Sequence, residues 1–166
     1  MFQQGDLIVY GRTGVCRVDG IEAWKGQDYY VLSPLYQTCS IKIPVDGKAF
    51  MRPVISREAA DELIDSMPEV EIQPCENMAM RKLTEYYQSF LGNRECRELV
   101  ELTTALYAKK KAAQREKRKF GVVDERFLKE GENLLFGELA VALDLNVEDV
   151  PGYIENRLRL GEPASV

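Results

Sequence analysis

Residues 5–44, GDLIVYGRTGVCRVDGIEAWKGQDYYVLSPLYQTCSIKIP, hold four short apolar runs, at 7–10, 15–21, 29–35 and 40–44. The segments 11–14 and 25–28 between the first three carry the glycines and polar residues that tight reversals need. Runs of this length joined by short turns describe a small antiparallel barrel or strongly curled sheet. A module that small has no room for a deep active site, so its working parts are its edge strands and turn tips. After about Pro53 the pattern turns helical. The predicted fold is therefore α+β: a small antiparallel β-barrel over residues 1–54, then an all-α domain of about five helices over 55–166.

Composition narrows the function. The chain has no histidine, which removes the commonest general base and any Ser-His or Cys-His pair. It has no GxxxxGK[ST] or GxGxxG phosphate loop. Paired carboxylates such as Glu130 and Glu132 fall in a helical pattern, where a solvated face explains them. Cys16, Cys39, Cys75 and Cys96 are scattered without a CxxC pair, so reduced thiols are a simpler reading than a zinc site. No apolar run approaches the ~18 residues of a membrane helix, and the N-terminus lacks the pattern of a secretory signal. We expect a cytoplasmic, monomeric protein that is not an enzyme and needs no metal or cofactor.

Net charge is −5, yet residues 109–119, KKKAAQREKRK, carry seven Lys or Arg against one Glu. A basic run inside an acidic chain is a footprint for phosphate, and the acidic remainder limits non-specific coating of DNA. A solvated helix end is the competing reading of that run.

In the fourth strand Ile41 and Ile43 alternate with Ser40 and Lys42, so the isoleucines should face the core and Lys42 the solvent. Trp24 stands beside the Lys25–Gly26 turn, where burial and exposure are both open from sequence. Ser56 can cap a helix over 57–66 with Ala60, Leu63, Ile64 and Met67 on one face. Residues 67–75 contain two prolines and read as a connector. A helix over 78–91, with Asn77 as cap and Gly92 at its end, lines up Met80, Leu83, Tyr87, Phe90 and Leu91. Asn93 can cap a long helix to about 118, with Cys96, Leu99, Val100, Thr103, Leu106 and Tyr107 inward and the basic run at its rim. Asp124 can cap a helix over 125–143, in which Gly131 and Gly137 permit close packing or a kink. A short helix ends near 160.

With these pieces in order, the chain resembles the CarD/CdnL family of bacterial RNA polymerase-binding transcription regulators. The residues that carry the likeness are GDLIVYGRTGVCRVDGIEAW-KGQDYYVL, the strand SIKIP and the late LLFGELA. The N-terminal pattern is shared with the polymerase-interacting domain of transcription-repair coupling factors. The likeness implies a Tudor-like (SH3-like) domain docking on the polymerase β subunit through a barrel edge, which maps to Glu22, Trp24, Ile41, Lys42 and Pro44. It also implies a helical domain touching promoter DNA near the upstream edge of the bubble, at the minor groove and phosphates and largely independent of sequence.

The family's Asn-Trp-x-Arg-Arg-like segment matches residues 77–82, with Met78 where the wedge tryptophan stands and Arg81 and Lys82 as phosphate contacts. From the residues alone Met78 reads as a core residue at a helix start, and that alternative stays open. Lys109, Lys110 and Lys111 join the DNA-contacting set, as do Arg126 and Lys129 on the helix leading into FGELA. The implied function is modulation of open-complex stability. The competing function is a protein adaptor tethered to polymerase whose basic run is merely solvated.

Overall fold

The computed structural model describes residues 2–47, 51–69, 79–91 and 95–161, in two compact units, Met1–Val54 and Ile55–Val166. The first unit is an antiparallel sheet of five strands: β1 (Leu7–Tyr10), β2 (Gly14–Trp24), β3 (Gln27–Pro34), β4 (Ile41–Pro44) and β5 (Met51–Pro53). Their spatial order is β4-β3-β2-β1-β5. Alternation along the strands sends Ile8, Cys16, Val18, Tyr30, Leu32 and Ile43 to one buried cluster. Ile43 comes from one edge strand and Met51 from the other, yet both pack in that cluster, so the sheet curls around its own core. A register shift between Val18 and Gly20 adds local twist to the long β2–β3 hairpin. Burial pushes the Cys16 thiol up to about 11, so it behaves as a small hydrophobe.

The second unit is helical: α1 (Arg57–Ser66), a 3₁₀ turn at Met67–Glu69, α2 (Met80–Gln88), α3 (Cys96–Arg115), α4 (Val122–Leu143), a 3₁₀ turn at Val147–Asp149 and α5 (Val150–Gly161). Ser56 caps α1 as expected, its Oγ accepting from the Ala59 N–H at 3.1 Å. Helix α4 is the centre of the bundle and packs against α1, α2, α3 and α5. Its Phe127, Leu135, Leu139 and Leu143 join Ile64, Val100, Leu102 and Leu106 in one core. The LLFGELA stretch lies within α4. There Glu138 is buried and its Oε2 accepts the Ile55 N–H at 3.1 Å, fastening the start of the unit to its central helix. At the far side of α1, Arg157 of α5 holds Asp65 through two hydrogen bonds of 2.8 and 2.9 Å and draws its carboxyl below the usual range. None of the helices among the described residues is long and apolar enough to cross a membrane.

Four details differ from the sequence reading. Helix α4 starts at Val122 with Gly121 at its cap, and Asp124 sits in the first turn, buried. A carboxylate there neutralises a neighbouring lysine, which the open end of the helix could not do. Helix α3 ends at Arg115 rather than near 118, because the Arg118 and Lys117 N–H groups turn back to the Ala113 and Gln114 carbonyls. That closure puts Lys117 in the left-handed region at φ 54°, which costs a residue with a Cβ about 1–2 kcal/mol. Tyr107 is exposed and bonds Glu132 through its hydroxyl, while Leu102 and Ala113 take the buried places. Met80, at the first turn of α2, is 71% exposed instead of lining the core, because no neighbouring helix covers that turn among the described residues. Asn77, Met78, Gly92 and Asn93 lie outside the described residues.

Gly131 is where α3 and α4 come closest. A Cβ there would meet Thr103 Cγ2 at 3.1 Å and Leu102 Cδ2 at 3.4 Å. Of the two readings of that glycine, close packing is the one the geometry supports. Gly131→Leu should therefore destabilise the protein by about 1–3 kcal/mol through overpacking, read as a lower midpoint in urea with an unchanged slope.

Candidate functional site

On the outer face of the sheet, opposite the core, the pleat gathers one continuous patch. Glu22 of β2 stands across from Tyr29 of β3, and Tyr29 across from Pro44 of β4. Lys42 stands across from Val31 and reaches the Glu22 carboxylate at 2.9 Å. Both partners are more than half exposed, so this pair adds little stability and leaves both charges available. Strand β4 is an edge strand, with β3 its only hydrogen-bonded neighbour among the described residues.

At the tip of the hairpin, Lys25 and Gly26 form a two-residue turn with φ 50° and 77°. Trp24 is 60% exposed there, packs edge-on against Tyr29 at 6.1 Å and lies under the Lys25 ammonium at 4.5 Å. An exposed indole held by two neighbours is a preorganised anchor for a protein partner. Glu22, Trp24, Lys42 and Pro44 thus share one face. Ile41 does not: it points to the opposite side and packs against the sheet core with Ile43. Tyr29 and Lys25 complete the patch, and the Lys-Gly pair after Trp24 is the signal in the sequence that marks them.

The helical unit divides its basic residues into two kinds. Lys109 turns inward. Its Nζ donates to Asp124 Oδ1 at 3.0 Å and lies 3.4 Å from the Tyr87 hydroxyl, which itself donates to Asp124. The Tyr87 ring packs on Phe127 at 5.3 Å, so α2, α3 and α4 meet at this network. Lys110 lies partly covered over the Phe120 ring. Lys111, Arg115, Lys117, Arg118 and Lys119 face solvent around the corner between α3 and α4, where Val122 is also 85% exposed. Arg126 lies over the Phe127 ring with its charge exposed, and Lys129 is exposed on α4. At the start of α2, Arg81 is 92% exposed with only a loose 3.6 Å pair to Glu85, and Lys82 is exposed beside it. Met78 lies outside the described residues. Among those described, no three potential ligands gather as a metal site.

A model of the CarD-like/TRCF RID domain matches residues 2–55, the whole β unit. Those residues belong to that family. The RID domain is an RNA polymerase β-subunit interaction domain. Among curated proteins none matches the chain. Within the RID domain the outer patch combines an edge strand, a hairpin tip, an exposed indole and two opposite charges.

Lys109 and Lys111 are two residues apart in sequence and differ in what they do. Lys109→Gln should leave the buried Asp124 carboxylate without its cation and cost about 1–3 kcal/mol. Lys111→Gln should leave the melting curve unchanged. Thermal melts of the two variants side by side distinguish a structural lysine from a surface one.

Proposed function

We propose that this chain is a non-catalytic transcription regulator that docks on the RNA polymerase β subunit through the outer patch of its RID domain and contacts promoter DNA with its helical unit. The observation that carries this reading is one chain joining a polymerase-interaction domain to a separate unit whose solvent-facing cations are concentrated at two places. Those places are the α3–α4 corner and the start of α2. LLFGELA within α4, together with the helical half, favours the CarD/CdnL regulators over a coupling-factor fragment.

Lys42, Trp24, Glu22 and Pro44 supply the docking surface, with Ile41 supporting it from the core side. Arg81, Lys82, Lys111, Arg126 and Lys129 supply phosphate contacts beside the upstream edge of the bubble. Such contacts bind with little regard to sequence and weaken as salt rises. Held there by the tether, the helical unit stabilises the open complex by binding it better than the closed one.

Lys42→Ala should weaken polymerase binding by about 1–3 kcal/mol, and because the residue is exposed the melting temperature should not change. Combined replacement of Lys111, Arg81 and Lys82 by Gln should leave polymerase affinity intact and shorten the lifetime of open complexes. An unchanged lifetime with polymerase binding intact would leave the protein as a tethered adaptor that does not touch DNA.

A further inference from the structure

Helix α2 carries two cations where a helix tolerates them least. Arg81 and Lys82 stand in its first turn beside the exposed Met80, with no acidic residue in that turn to offset them. Cations at a helix N-terminus oppose its dipole. The pair between Arg81 and Glu85 runs in the less favourable order, base before acid, and spans 3.6 Å. Ala79 occupies the cap position, and among the described residues no side chain caps the turn. Nine residues are also too few for a helix to stand alone in water, where about 12–15 are needed. The start of α2 is therefore held from its other end.

That end is Tyr87. Within α2 it alone is buried, nearly two turns after Arg81. Its ring packs on Phe127 of α4 at 5.3 Å, and Leu83, Tyr86 and Phe90 pack against the same core. Apolar contacts are non-directional, so they hold a short helix close and leave its roll about its own axis free. The hydroxyl fixes that roll. It donates to Asp124 Oδ1, the atom that also accepts from Lys109 Nζ at 3.0 Å. A directional bond to a buried carboxylate is stronger than one between neutral groups.

We infer that Tyr87 is a positioning residue for the DNA contact of α2. Its hydroxyl sets the roll of the helix, so Arg81 and Lys82 are presented to phosphate without an ordering cost at the moment of binding. This rests on the DNA-contacting reading above and adds the group that orients the cations of α2.

The test uses the full chain with polymerase and promoter, comparing Tyr87→Phe with Ser56→Ala. Tyr87→Phe keeps the ring, and Asp124 keeps Lys109, so the variant should fold and melt about 2–4 °C lower. Ser56→Ala removes the cap of α1 and should lower the melting temperature by a similar amount. Affinity for the polymerase–promoter complex at fixed salt should fall about three- to tenfold in Tyr87→Phe and stay at the wild-type value in Ser56→Ala. In Tyr87→Phe the slope of log affinity against log salt should also stay at the wild-type value, because both cations remain. With Arg81 and Lys82 replaced by Gln the slope should drop, and adding Tyr87→Phe should cost no further affinity. Affinity for polymerase without DNA should be unchanged throughout.

The inference is overturned if Tyr87→Phe binds the promoter complex like wild type, or if Ser56→Ala loses as much affinity. It is also overturned if Tyr87→Phe keeps its full effect in the background without Arg81 and Lys82, since the hydroxyl would then act on the helical unit as a whole. If replacing Arg81 and Lys82 changes neither affinity nor slope, the DNA reading of α2 fails and the inference falls with it.

Discussion

A buried carboxylate has to find a cation, and at Asp124 that requirement organises the helical unit. Asp124 is 6% exposed and satisfied by Lys109 and the Tyr87 hydroxyl, one from α3 and one from α2. Removing either partner would strand a charge or a hydroxyl in an apolar surround, so the three helices are held in one arrangement. The same network takes the first lysine out of the basic run. What remains for solvent begins past Lys110 and is concentrated at a corner that the helix end, Phe120 and two backbone bonds make rigid.

Charge then decides how such a unit can meet DNA. Residues 55–166 carry 16 Lys or Arg against 22 Asp or Glu, and 109–119 alone account for seven against one. Elsewhere the helical unit has nine cations against twenty-one anions, a surface that duplex DNA repels. Among the described residues, the cations placed to approach phosphate in the proposed function are the basic corner, Arg126 and Lys129 on α4, and the small cluster at the start of α2. A protein built this way gains little from free DNA. In the function proposed above, the polymerase-interaction domain of the same chain serves as the tether that raises the local concentration of this unit at the duplex.

The strands were readable from sequence because their signal is local. Four short apolar runs, the first three separated by Gly-containing turns, marked β1 to the residue and β4 to within one. Strand β2 runs on to Trp24 and β3 begins at Gln27, because the hairpin continues past the apolar stretches. The alternation at Ile41, Lys42 and Ile43 put the lysine outside. The cap at Ser56 was equally local. What could not be read depended on neighbours distant in sequence. Asp124 looks like a helix cap until Lys109 and Tyr87 are beside it, and Lys109 looks like part of a solvated run until Asp124 is found. Met80 fits an apolar stripe by spacing, yet among the described residues no other helix covers the turn it occupies. The left-handed Lys117 had no signature either, since the sequence carries no glycine where the helix closes. On the β unit, Glu22, Trp24, Lys42 and Pro44 came together as a patch, while Ile41, which its alternation with Lys42 already turned to the core, entered the docking set only through the family resemblance.

The most direct test of the account is the affinity of the full-length chain for promoter DNA measured with and without RNA polymerase at the same salt. A tethered contact predicts weak binding to free DNA and a gain of two or more orders of magnitude once polymerase holds the RID domain, in line with effective concentrations near the millimolar range for short linkers. Equal affinity for DNA in both conditions would contradict it, because the basic corner would then act without the tether on which the charge distribution makes it depend.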